Sequence, residues 1–417
     1  MKVLVLGSGA REHSVTWKYA NSKRISGLYI APGNCGTGEL GTNLPDVNPE
    51  NIDSVLAACE EYGINQVFVG SEAPLALGIV DGLKEKGIPV FGPHKAAARL
   101  ESSKTFSKNF MEKYSIPTAR AKEFSDKDAF CKYIDEIDFR VVIKKNGLAA
   151  GKGVLESEDK EEIKAFGTKV LEDDTLLVEE FLTGFEVSIF ALTDGLDYVL
   201  LPTCADFKKA GENDKGLNTG GMGAICPVPI IGSALMEEIK KTIVVPTFDG
   251  MTAENLGYQG ILYFGLMITE KGPYLLEYNT RFGDPETQVL LPLIESDFGN
   301  LIEAILNQKL GAFPLRISHK SALGVVVAAE GYPGDYEKGL KVKPIPVFPE
   351  DSNLVFHAST VTNENRDVLT SGGRCFTVVG LGQNILNART RAYEAVARVN
   401  FSGSWFRSDI GKKYFND

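Results

Sequence analysis

The chain contains no run of about 18 apolar residues, the minimum for a membrane-spanning helix. Its first ten residues, MKVLVLGSGA, carry one lysine and an apolar stretch that is too short for a signal peptide. We therefore expect a cytoplasmic protein without a membrane partner.

Histidine, cysteine and basic charge are also scarce. The four histidines are isolated from one another and the six cysteines form no C-x-x-C pair, so neither a zinc site nor a disulfide framework is predicted. The 44 basic residues are outnumbered by 55 acidic ones, which gives a formal net charge of −11. Because nucleic acids bind to basic surfaces, this balance argues against a nucleic-acid partner.

The 417 residues are enough for roughly two to four domains. In the first hundred residues, short apolar runs alternate with helical patterns, and Leu75, Ile79 and Leu83 are spaced for one helical face. This alternation predicts a parallel sheet covered by helices, with its ligand crevice at the carboxyl ends of the strands. The apolar runs are residues 3–6, 28–30, 67–69 and 90–91.

Beyond residue 140 the pattern changes to a mixed α+β arrangement. Helices are predicted over 157–172 and 296–308, and a third region begins with the apolar run 322–329. The predicted strands, several of them joined as hairpins, are 140–145, 175–182, 186–193, 198–201, 261–269 and 274–279.

The segment IKKNGLAAGKGV, residues 143–154, has the composition of a phosphate-binding loop. It is not a P-loop of the G-x-x-x-x-G-K-[ST] type, because Asn146 takes the place of the first glycine and Gly153 that of the magnesium-binding hydroxyl. Gly147, Gly151 and Gly153 nevertheless permit the close backbone approach and the movement that a lid requires.

Two lysines accompany these glycines. Lys144 closes a predicted strand and Lys152 lies inside the loop. Either ammonium could bind phosphate oxygens, and either could equally be a solvated surface group. The residues by themselves leave both interpretations open.

Gly7 and Gly9 follow the first strand in a near match to the dinucleotide pattern G-x-G-x-x-G, but Glu12 replaces the last glycine. A bulky acid there opposes the close helix–strand packing of a dinucleotide site. A single phosphate at the helix N-terminus and a plain tight turn are the two remaining interpretations. Glu72, after another strand, could bind hydroxyls or an amine, or could only favour the positive end of a helix.

Glu277 and Asn279 alternate along a strand with Leu275, so the three side chains share one face. A carboxylate and an amide oxygen directed at one spot suit Mg²⁺, which prefers oxygen ligands. The dense polar run RFGDPET, 281–287, follows directly and favours a functional interpretation. The glycine-rich turn 218–224 exposes N–H groups of the kind that bind anions, unless it is only a linker.

In combination and in order, these segments resemble the glycinamide ribonucleotide synthetases (phosphoribosylamine–glycine ligases), a family of the ATP-grasp superfamily. The resemblance runs from Met1 to residue 411. It rests on the motifs GAREH from Gly9, APGNCGT from Ala31, EAPL from Glu72, FGP from Phe91, GLAAGKGV from Gly147, EEFL from Glu179, NTGGMGA from Asn218, RFGDPETQ from Arg281, GYPGDY from Gly331, VFHA from Val355, GGR from Gly372 and RSDIG from Arg407.

The resemblance implies a multidomain protein of α/β and α+β type. Residues 1–101 would form an N-terminal parallel α/β domain that binds phosphoribosylamine, and 102–319 a two-lobed ATP-grasp domain with a mobile lid at about 122–188. Residues 320–417 would form a small C-terminal α+β domain. Because the chain ends soon afterwards, we expect no fused purine-pathway enzyme, and monomer and homodimer both stay open.

The family also implies an ATP site with Mg²⁺ or Mn²⁺ as the metal. Lysines would contact the phosphates, the strand end 179–182 would bind adenine through its backbone, and Glu186 would bind the ribose hydroxyls. Gly265 stands where many ATP-grasp enzymes have another acidic metal ligand. The expected ATP-binding residues are Lys104, Lys144, Gly147, Gly151, Lys152, Gly153, Glu179, Glu180, Phe181, Leu182 and Glu186, and the expected metal ligands are Glu277 and Asn279.

Catalysis and substrate binding are implied in the same way. Arg281, Lys144 and Asp284 would be the catalytic residues, close to the reacting acyl phosphate. The residues expected to line the phosphoribosylamine and glycine pockets are Gly7, Gly9, Glu72, Asp206, Lys208, Asn218, Thr219, Gly220, Gly221, Met222 and Arg281.

The implied reaction has two steps. The carboxylate of glycine attacks the γ-phosphorus of ATP, and the amine of 5-phosphoribosylamine then displaces phosphate from the glycyl phosphate. Both nucleophiles belong to substrates, so the protein needs positioned charges and no catalytic Ser, Cys or His. The alternatives are a nicotinamide-dependent enzyme, a nucleotide sensor without turnover, and a ligase for a related carboxylate–amine pair.

The chain departs from the family pattern at a few positions. Phe207 replaces a histidine beside Asp206, and Lys209 replaces an arginine, whose two-pronged fork a lysine lacks. None of the departures removes an expected phosphate lysine or metal ligand. The other departures are Ser71, Lys145, Asn146, Leu217 and Ser359.

Overall fold

The computed structural model describes residues 1–149 and 153–415. Its first region is a five-stranded sheet in the order β3-β2-β1-β4-β5, with every pair parallel, as predicted. The elements are β1 (Lys2–Gly7), α1 (Ala10–Ala20), β2 (Gly27–Pro32), α2 (Cys35–Leu40), β3 (Thr42–Asn43), α3 (Ile52–Tyr62), β4 (Gln66–Val69), α4 (Glu72–Leu77), α5 (Ile79–Glu85), β5 (Val90–Phe91) and α6 (Lys95–Ser102).

The single helix predicted from Leu75, Ile79 and Leu83 is in fact two helices. Gly78 separates α4 from α5 with a φ of +93°, a left-handed conformation that breaks the helical hydrogen-bond pattern. All three side chains are nevertheless buried. The apolar spacing therefore identified the buried face but not the break.

The second region is a small antiparallel sheet in the order β6-β9-β7-β8. Two helices cover it around the buried ring of Phe130, which gives this sheet an apolar core of its own. The helix predicted from residue 157 begins later, because the Asp159 side chain caps it by accepting from Glu161 N and Glu162 N. The elements are α7 (Lys104–Lys113), β6 (Ala121–Phe124), α8 (Lys127–Glu136), β7 (Val141–Lys145), β8 (Val154–Ser157), α9 (Lys160–Val170) and β9 (Leu176–Glu180).

The third region contains an antiparallel sheet in the order β11-β10-β16-β17 and the two-stranded hairpin β13-β14. A π-helical segment, Lys240–Val244, joins the first two helices listed here. The elements are β10 (Phe185–Thr193), β11 (Tyr198–Leu200), β12 (Ala205–Asp206), β13 (Lys209–Gly211), β14 (Lys215–Asn218), β15 (Gly223–Cys226), α10 (Ser233–Ile239), α11 (Val245–Ala253), β16 (Gly260–Thr269), β17 (Gly272–Asn279), α12 (Glu286–Leu290) and α13 (Phe298–Leu306).

The last region is built on a sheet in the order β12-β15-β18-β22-β19, with β23 added beside β18. Two of its strands, β12 and β15, come from the third region, so the expected boundary at residue 320 cuts across a sheet. The domain bounds 1–101, 102–319 and 320–417 stay a prediction. The elements are β18 (Ser321–Ala329), β19 (Asn353–His357), β20 (Thr360–Thr362), β21 (Val368–Thr370), β22 (Arg374–Gly382), α14 (Ile385–Val396) and β23 (Ser404–Trp405).

These sheets confirm the predicted combination of α/β and α+β architecture. No helix within residues 1–149 and 153–415 has both the length and the apolar character needed to cross a membrane.

An aromatic cluster joins the parallel sheet to the third region. The buried ring of Phe282 stacks against Phe68 and Phe91 at centroid distances of 6.1 and 6.3 Å. It also stacks against Phe190 of β10 at 6.4 Å. The loop that follows β17 is thereby attached to strands of both regions.

Two buried histidines join α1 to β19. The backbone N–H of His357 donates to His13 Nδ1 at 2.8 Å, and the His357 ring is hydrogen-bonded to Thr360 Oγ1 at 3.0 Å. Burial, assisted by the neighbouring His357, lowers the pKa of His13 to about 3. Burial lowers the pKa of His357 to about 4. Both rings are therefore neutral in the folded protein at pH 7.

We predict that the protein loses stability as the pH falls below about 6.5. In the unfolded chain each histidine binds a proton near that pH, whereas the folded chain resists protonation, so the free energy of unfolding falls by up to about 1.4 kcal/mol per pH unit for each ring. Urea denaturation between pH 7.5 and 5 measures this slope. His13→Gln should reduce the slope and His319→Gln, at an exposed position, should not. Equal slopes for His13→Gln and the wild type would contradict the prediction.

Candidate active site

A cavity of about 490 Å³ lies where the regions meet. Most of the residues that the sequence singled out line its wall. The expected residues that line it are Glu72, Lys104, Lys144, Gly153, Glu179, Glu180, Phe181, Leu182, Glu186, Asp206, Lys208, Asn218, Thr219, Gly220, Glu277, Asn279, Arg281 and Asp284.

Other expected residues lie behind this wall. Gly9 N donates to the Glu12 carboxylate at 2.7 Å, and a Cβ at Gly7 would overlap the Glu12 side chain, so Glu12 occupies the space beside the first strand end. The Met222 side chain is fully buried in the core. A Cβ at Gly221 would overlap Pro285, so that position is tightly packed.

The remaining expected residues belong to the glycine loop. Gly147 N donates to Asp174 Oδ2 at 3.0 Å, which ties the start of the loop to the turn between α9 and β9. Gly151 and Lys152 lie outside the described residues.

Glu179 is the centre of a buried ion-pair cluster. Its Oε2 lies 2.8 Å from Lys144 Nζ and its Oε1 lies 3.2 Å from Lys108 Nζ. Burial alone would raise the pKa of Glu179, but Lys144 and Lys108 together lower it. The interpretation of Lys144 as a solvated surface group is therefore wrong, since only 11% of its side chain and 3% of the Glu179 side chain are exposed.

Lys104 lies next to this cluster at the start of α7. Its ammonium donates to Gly147 O at 3.2 Å, at the entrance of the glycine loop. The Asn146 side chain accepts from Thr105 N at 3.0 Å, so the residue that spoils the P-loop pattern links the loop to α7. Asn146 therefore has a structural role here.

Glu277 and Asn279 face the cavity from β17, as predicted, but Leu275 does not share their face. The register of the β16–β17 pair shifts between Gly265 and Leu266, and Leu275 is buried in the core instead. Burial alone would raise the pKa of Glu277, but the cations led by Lys208 and Lys144 lower it, so the carboxylate is ionised. Gly265 pairs with Glu277 across the sheet, and a Cβ there would lie 3.1 Å from Glu277 Cγ. A larger residue at 265 would crowd the carboxylate.

These oxygens fit a divalent cation. Within the described residues there is no group of three or more His, Cys, Asp or Glu side chains that could hold a metal ion. A cation on Glu277 and Asn279 would therefore take its other ligands from phosphate oxygens and water, which is the usual arrangement for Mg²⁺.

Arg281 lies beside Asn279, to whose Oδ1 its Nη2 donates at 3.1 Å, and both Arg281 and Asp284 are surrounded by further charges. Arg281 Nη2 lies 2.9 Å from Glu101 Oε1, and its Nε lies 3.5 Å from Glu72 Oε2. Asp284 Oδ1 lies 3.3 Å from Arg374 Nη1. Burial alone would raise the pKa of Asp284, but Arg374 and then Arg11 lower it.

Residues 206–208 present alternate side chains to opposite sides. Asp206 and Lys208 line the cavity, and the Lys208 ammonium pairs with Glu186. Phe207 points into the core, edge-on to Tyr414 at a centroid distance of 6.4 Å. The histidine-to-phenylalanine departure therefore does not touch the cavity. Burial, with Glu286 and other carboxylates adding to it, raises the pKa of Asp206 to about 8 despite Lys208.

Several cavity residues escaped the sequence analysis. Lys108 follows Lys104 by four residues, which places both on one face of α7 and could have revealed it. Arg11 and Arg374 lie in the motifs GAREH and GGR, where no role was assigned to them. Glu286 lies in the polar run 281–287, where no role was assigned to it, and Glu101 gave no local signal. The cavity residues missed in this way are Arg11, Glu101, Lys108, Glu286 and Arg374.

A small antiparallel sheet facing a second antiparallel sheet, with lysines and carboxylates between them, defines an ATP-grasp fold. Models of the phosphoribosylglycinamide synthetase N domain, ATP-grasp (A) domain and C domain match residues 1–101, 102–287 and 322–413. The chain belongs to the phosphoribosylglycinamide synthetase family.

Comparison with individual relatives supports the same family assignment. The chain is 41% identical over 424 residues to phosphoribosylamine–glycine ligase of Neisseria meningitidis serogroup B, with 100% of both chains covered. It is 43% identical to the trifunctional purine biosynthetic protein adenosine-3 of Gallus gallus, with 98% of this chain and 42% of that protein covered.

Solved structures give the same result. The crystal structure of phosphoribosylamine–glycine ligase from Thermotoga maritima superposes with a TM-score of 0.85 at 36% identity, covering 99% of this chain and 100% of that one. The biotin carboxylase domain of Hydrogenobacter thermophilus 2-oxoglutarate carboxylase, a complex with MgADP, has a TM-score of 0.72 at 18% identity. That match covers 97% of this chain and 91% of the other, and it shows a shared fold alone.

We predict that Phe207→His lowers stability without impairing substrate binding. A polar ring in the apolar core should lower the free energy of unfolding by about 1–3 kcal/mol. Because the side chain faces away from the cavity, the KM of each substrate should stay within about twofold. Asp206→Asn is the matched comparison and should raise a substrate KM instead. Denaturation and steady-state kinetics measure both effects; a raised KM in Phe207→His with unchanged stability would contradict the assignment.

Proposed function

We propose that the chain ligates glycine to 5-phosphoribosylamine at the expense of ATP, giving glycinamide ribonucleotide, ADP and phosphate in de novo purine biosynthesis. The observation that carries this proposal is the cavity, in which cations for a triphosphate and oxygens for a metal face one another. Full-length similarity to ligases of this name supports the choice of substrates.

ATP would lie between the small sheet and β16–β17. The backbone at 179–182 would bind adenine and Glu186 the ribose hydroxyls. Lys104 and Lys144 would bind the phosphates, since both ammonium groups border the cavity on that side. The contributions of Gly147, Gly151, Lys152 and Gly153 belong to the same proposal.

Glu277 and Asn279 would hold Mg²⁺ or Mn²⁺. When bound, such an ion would withdraw charge from the phosphoryl oxygens. The lysine and arginine side chains of the cavity would also withdraw charge from the phosphoryl oxygens. Arg281 and Lys144 would neutralise charge on the transferred phosphoryl group and on the tetrahedral oxyanion, each being worth about 3 kcal/mol of barrier by analogy with single oxyanion-hole donors.

Asp284 would orient the arginines, since its pKa is held low by the guanidinium groups beside it. Glu72 and the turn 218–220 would bind the phosphoribosylamine and glycine, together with Asp206 and Lys208. Gly7, Gly9, Gly221 and Met222 would support these pockets from behind, because their positions are tightly packed or buried.

The small sheet would act as the lid. Closing it over the nucleotide would exclude water, which otherwise hydrolyses an acyl phosphate before the amine attacks.

The partners would be the three small-molecule substrates, without nucleic acid. A cytoplasmic location is supported by the cysteines, all six of which are free thiols.

The proposal is tested by an assay for ADP. Release of ADP should require both glycine and 5-phosphoribosylamine, and Glu277→Gln should lower kcat at least about a hundredfold because one metal ligand loses its charge. Glu270→Gln, in the exposed turn of the same hairpin, is the control and should leave kcat unchanged. Circular dichroism should show that both variants fold.

Each contrary outcome has a distinct meaning. ADP release without the amine and the carboxylate would contradict the ligase assignment. Nucleotide binding without any turnover would favour the sensor alternative. Full activity in Glu277→Gln would place the metal elsewhere.

A further inference from the structure

Lys108 is a buried charged residue of the cavity to which the proposed reaction gives no role. Its ammonium lies 2.7 Å from Thr118 Oγ1, 3.0 Å from Ala119 O and 3.2 Å from Glu179 Oε1. An ammonium has three N–H donors, so all three are satisfied. Only 5% of the side chain is exposed, and Lys108 is therefore fixed in place from three directions.

Lys144 is held in a different way. Its ammonium lies 2.8 Å from Glu179 Oε2, which is its single ion-pair partner among the residues that the structure describes. It borders the cavity on the side of Lys104 and Glu277. Of the two lysines that pair with Glu179, Lys144 is therefore the one whose ammonium has N–H donors available for a ligand.

Glu179 can release one lysine only if the other remains. A buried carboxylate that loses its last counter-ion costs several kcal/mol, so it would retain a sole lysine against a competing phosphate. With one lysine on each oxygen, Lys144 can turn to an anion while Lys108 keeps Glu179 neutralised.

We propose that Lys108 is a positioning residue, the permanent counter-ion of Glu179 that frees Lys144 to bind the phosphates of a nucleoside triphosphate. The inference rests on the proposed ATP site. On this proposal the Glu179 carboxylate pairs with Lys144 while no nucleotide is bound, in addition to any contact of the Glu179 backbone with adenine.

The test compares ligands with and without phosphates. Dissociation constants are measured by isothermal titration for a non-hydrolysable ATP analogue with Mg²⁺, and by competition for adenosine. Lys108→Met should weaken binding of the analogue at least about tenfold, because Glu179 then retains Lys144. The dissociation constant of adenosine should change by less than about twofold. A merely structural loss would weaken both ligands together.

A second substitution separates electrostatics from packing. In the double variant Lys108→Met/Glu179→Gln the carboxylate that pairs with Lys144 at 2.8 Å is gone, so the affinity for the ATP analogue should recover most of the loss. Lys113→Met is the matched control, since it removes an exposed lysine of the same helix that pairs with Glu254 at 2.6 Å, and it should have no effect on either ligand. If Lys108→Met does not fold, Lys108→Gln replaces it in both backgrounds.

The outcomes are distinguishable from those of the proposed function. Wild-type affinity of Lys108→Met for the analogue, or no recovery in the double variant, would overturn the role of Lys108 and leave the ligase proposal intact. If Lys144→Met leaves the affinity for the analogue unchanged, Lys144 is not a phosphate ligand, and the proposed ATP site is wrong as well.

Discussion

The ring of Phe282 fixes the part of the chain on which the active site depends. It packs against Phe68, Phe91 and Phe190, aromatic residues of two different sheets, while its neighbour Arg281 faces the cavity. Burial of such a ring stabilises the fold by about 1.5–3 kcal/mol. More important is its position, since the polar run 281–286 belongs to no strand and needs an apolar anchor. β17 ends before this anchor and α12 begins after it, so Glu277, Asn279 and Arg281 keep fixed positions relative to one another.

Two carboxyl groups that line the cavity have pKa values shifted in opposite directions. Glu277 has a lowered pKa because lysines and Arg281 surround it, whereas Asp206 has a raised pKa because burial and three other carboxylates outweigh Lys208. At neutral pH Glu277 is therefore ionised, whereas Asp206, with a pKa of about 8, is protonated for most of the time. Environments that separate the pKa values of neighbouring acids assign them different tasks.

The local parts of the fold and site were predictable from the sequence. Alternation along a strand placed Glu277 and Asn279 on one face, and the apolar runs gave the parallel sheet. What the sequence could not give depends on pairing between distant residues. Lys108 of α7 pairs with Glu179 of β9, and Arg374 of β22 pairs with Asp284 in the loop between β17 and α12. Phe207 lies between the short strands β12 and β13, and a connection of two residues carries no periodic pattern from which the orientation of its side chain could be predicted.

The sheet that combines β12 and β15 with β18, β22 and β19 has a consequence for how the molecule can move. Asp206 on β12 and Arg374 on β22 belong to one hydrogen-bonded framework, so this wall of the cavity is continuous with the carboxyl-terminal part of the chain. The small sheet has no strand in common with it. If the chain were cut between Cys226 and Ser321 and the two fragments separated, the edges of β15 and β18 would expose unpaired amide and carbonyl groups. The fragments would have to associate again before either could complete its core.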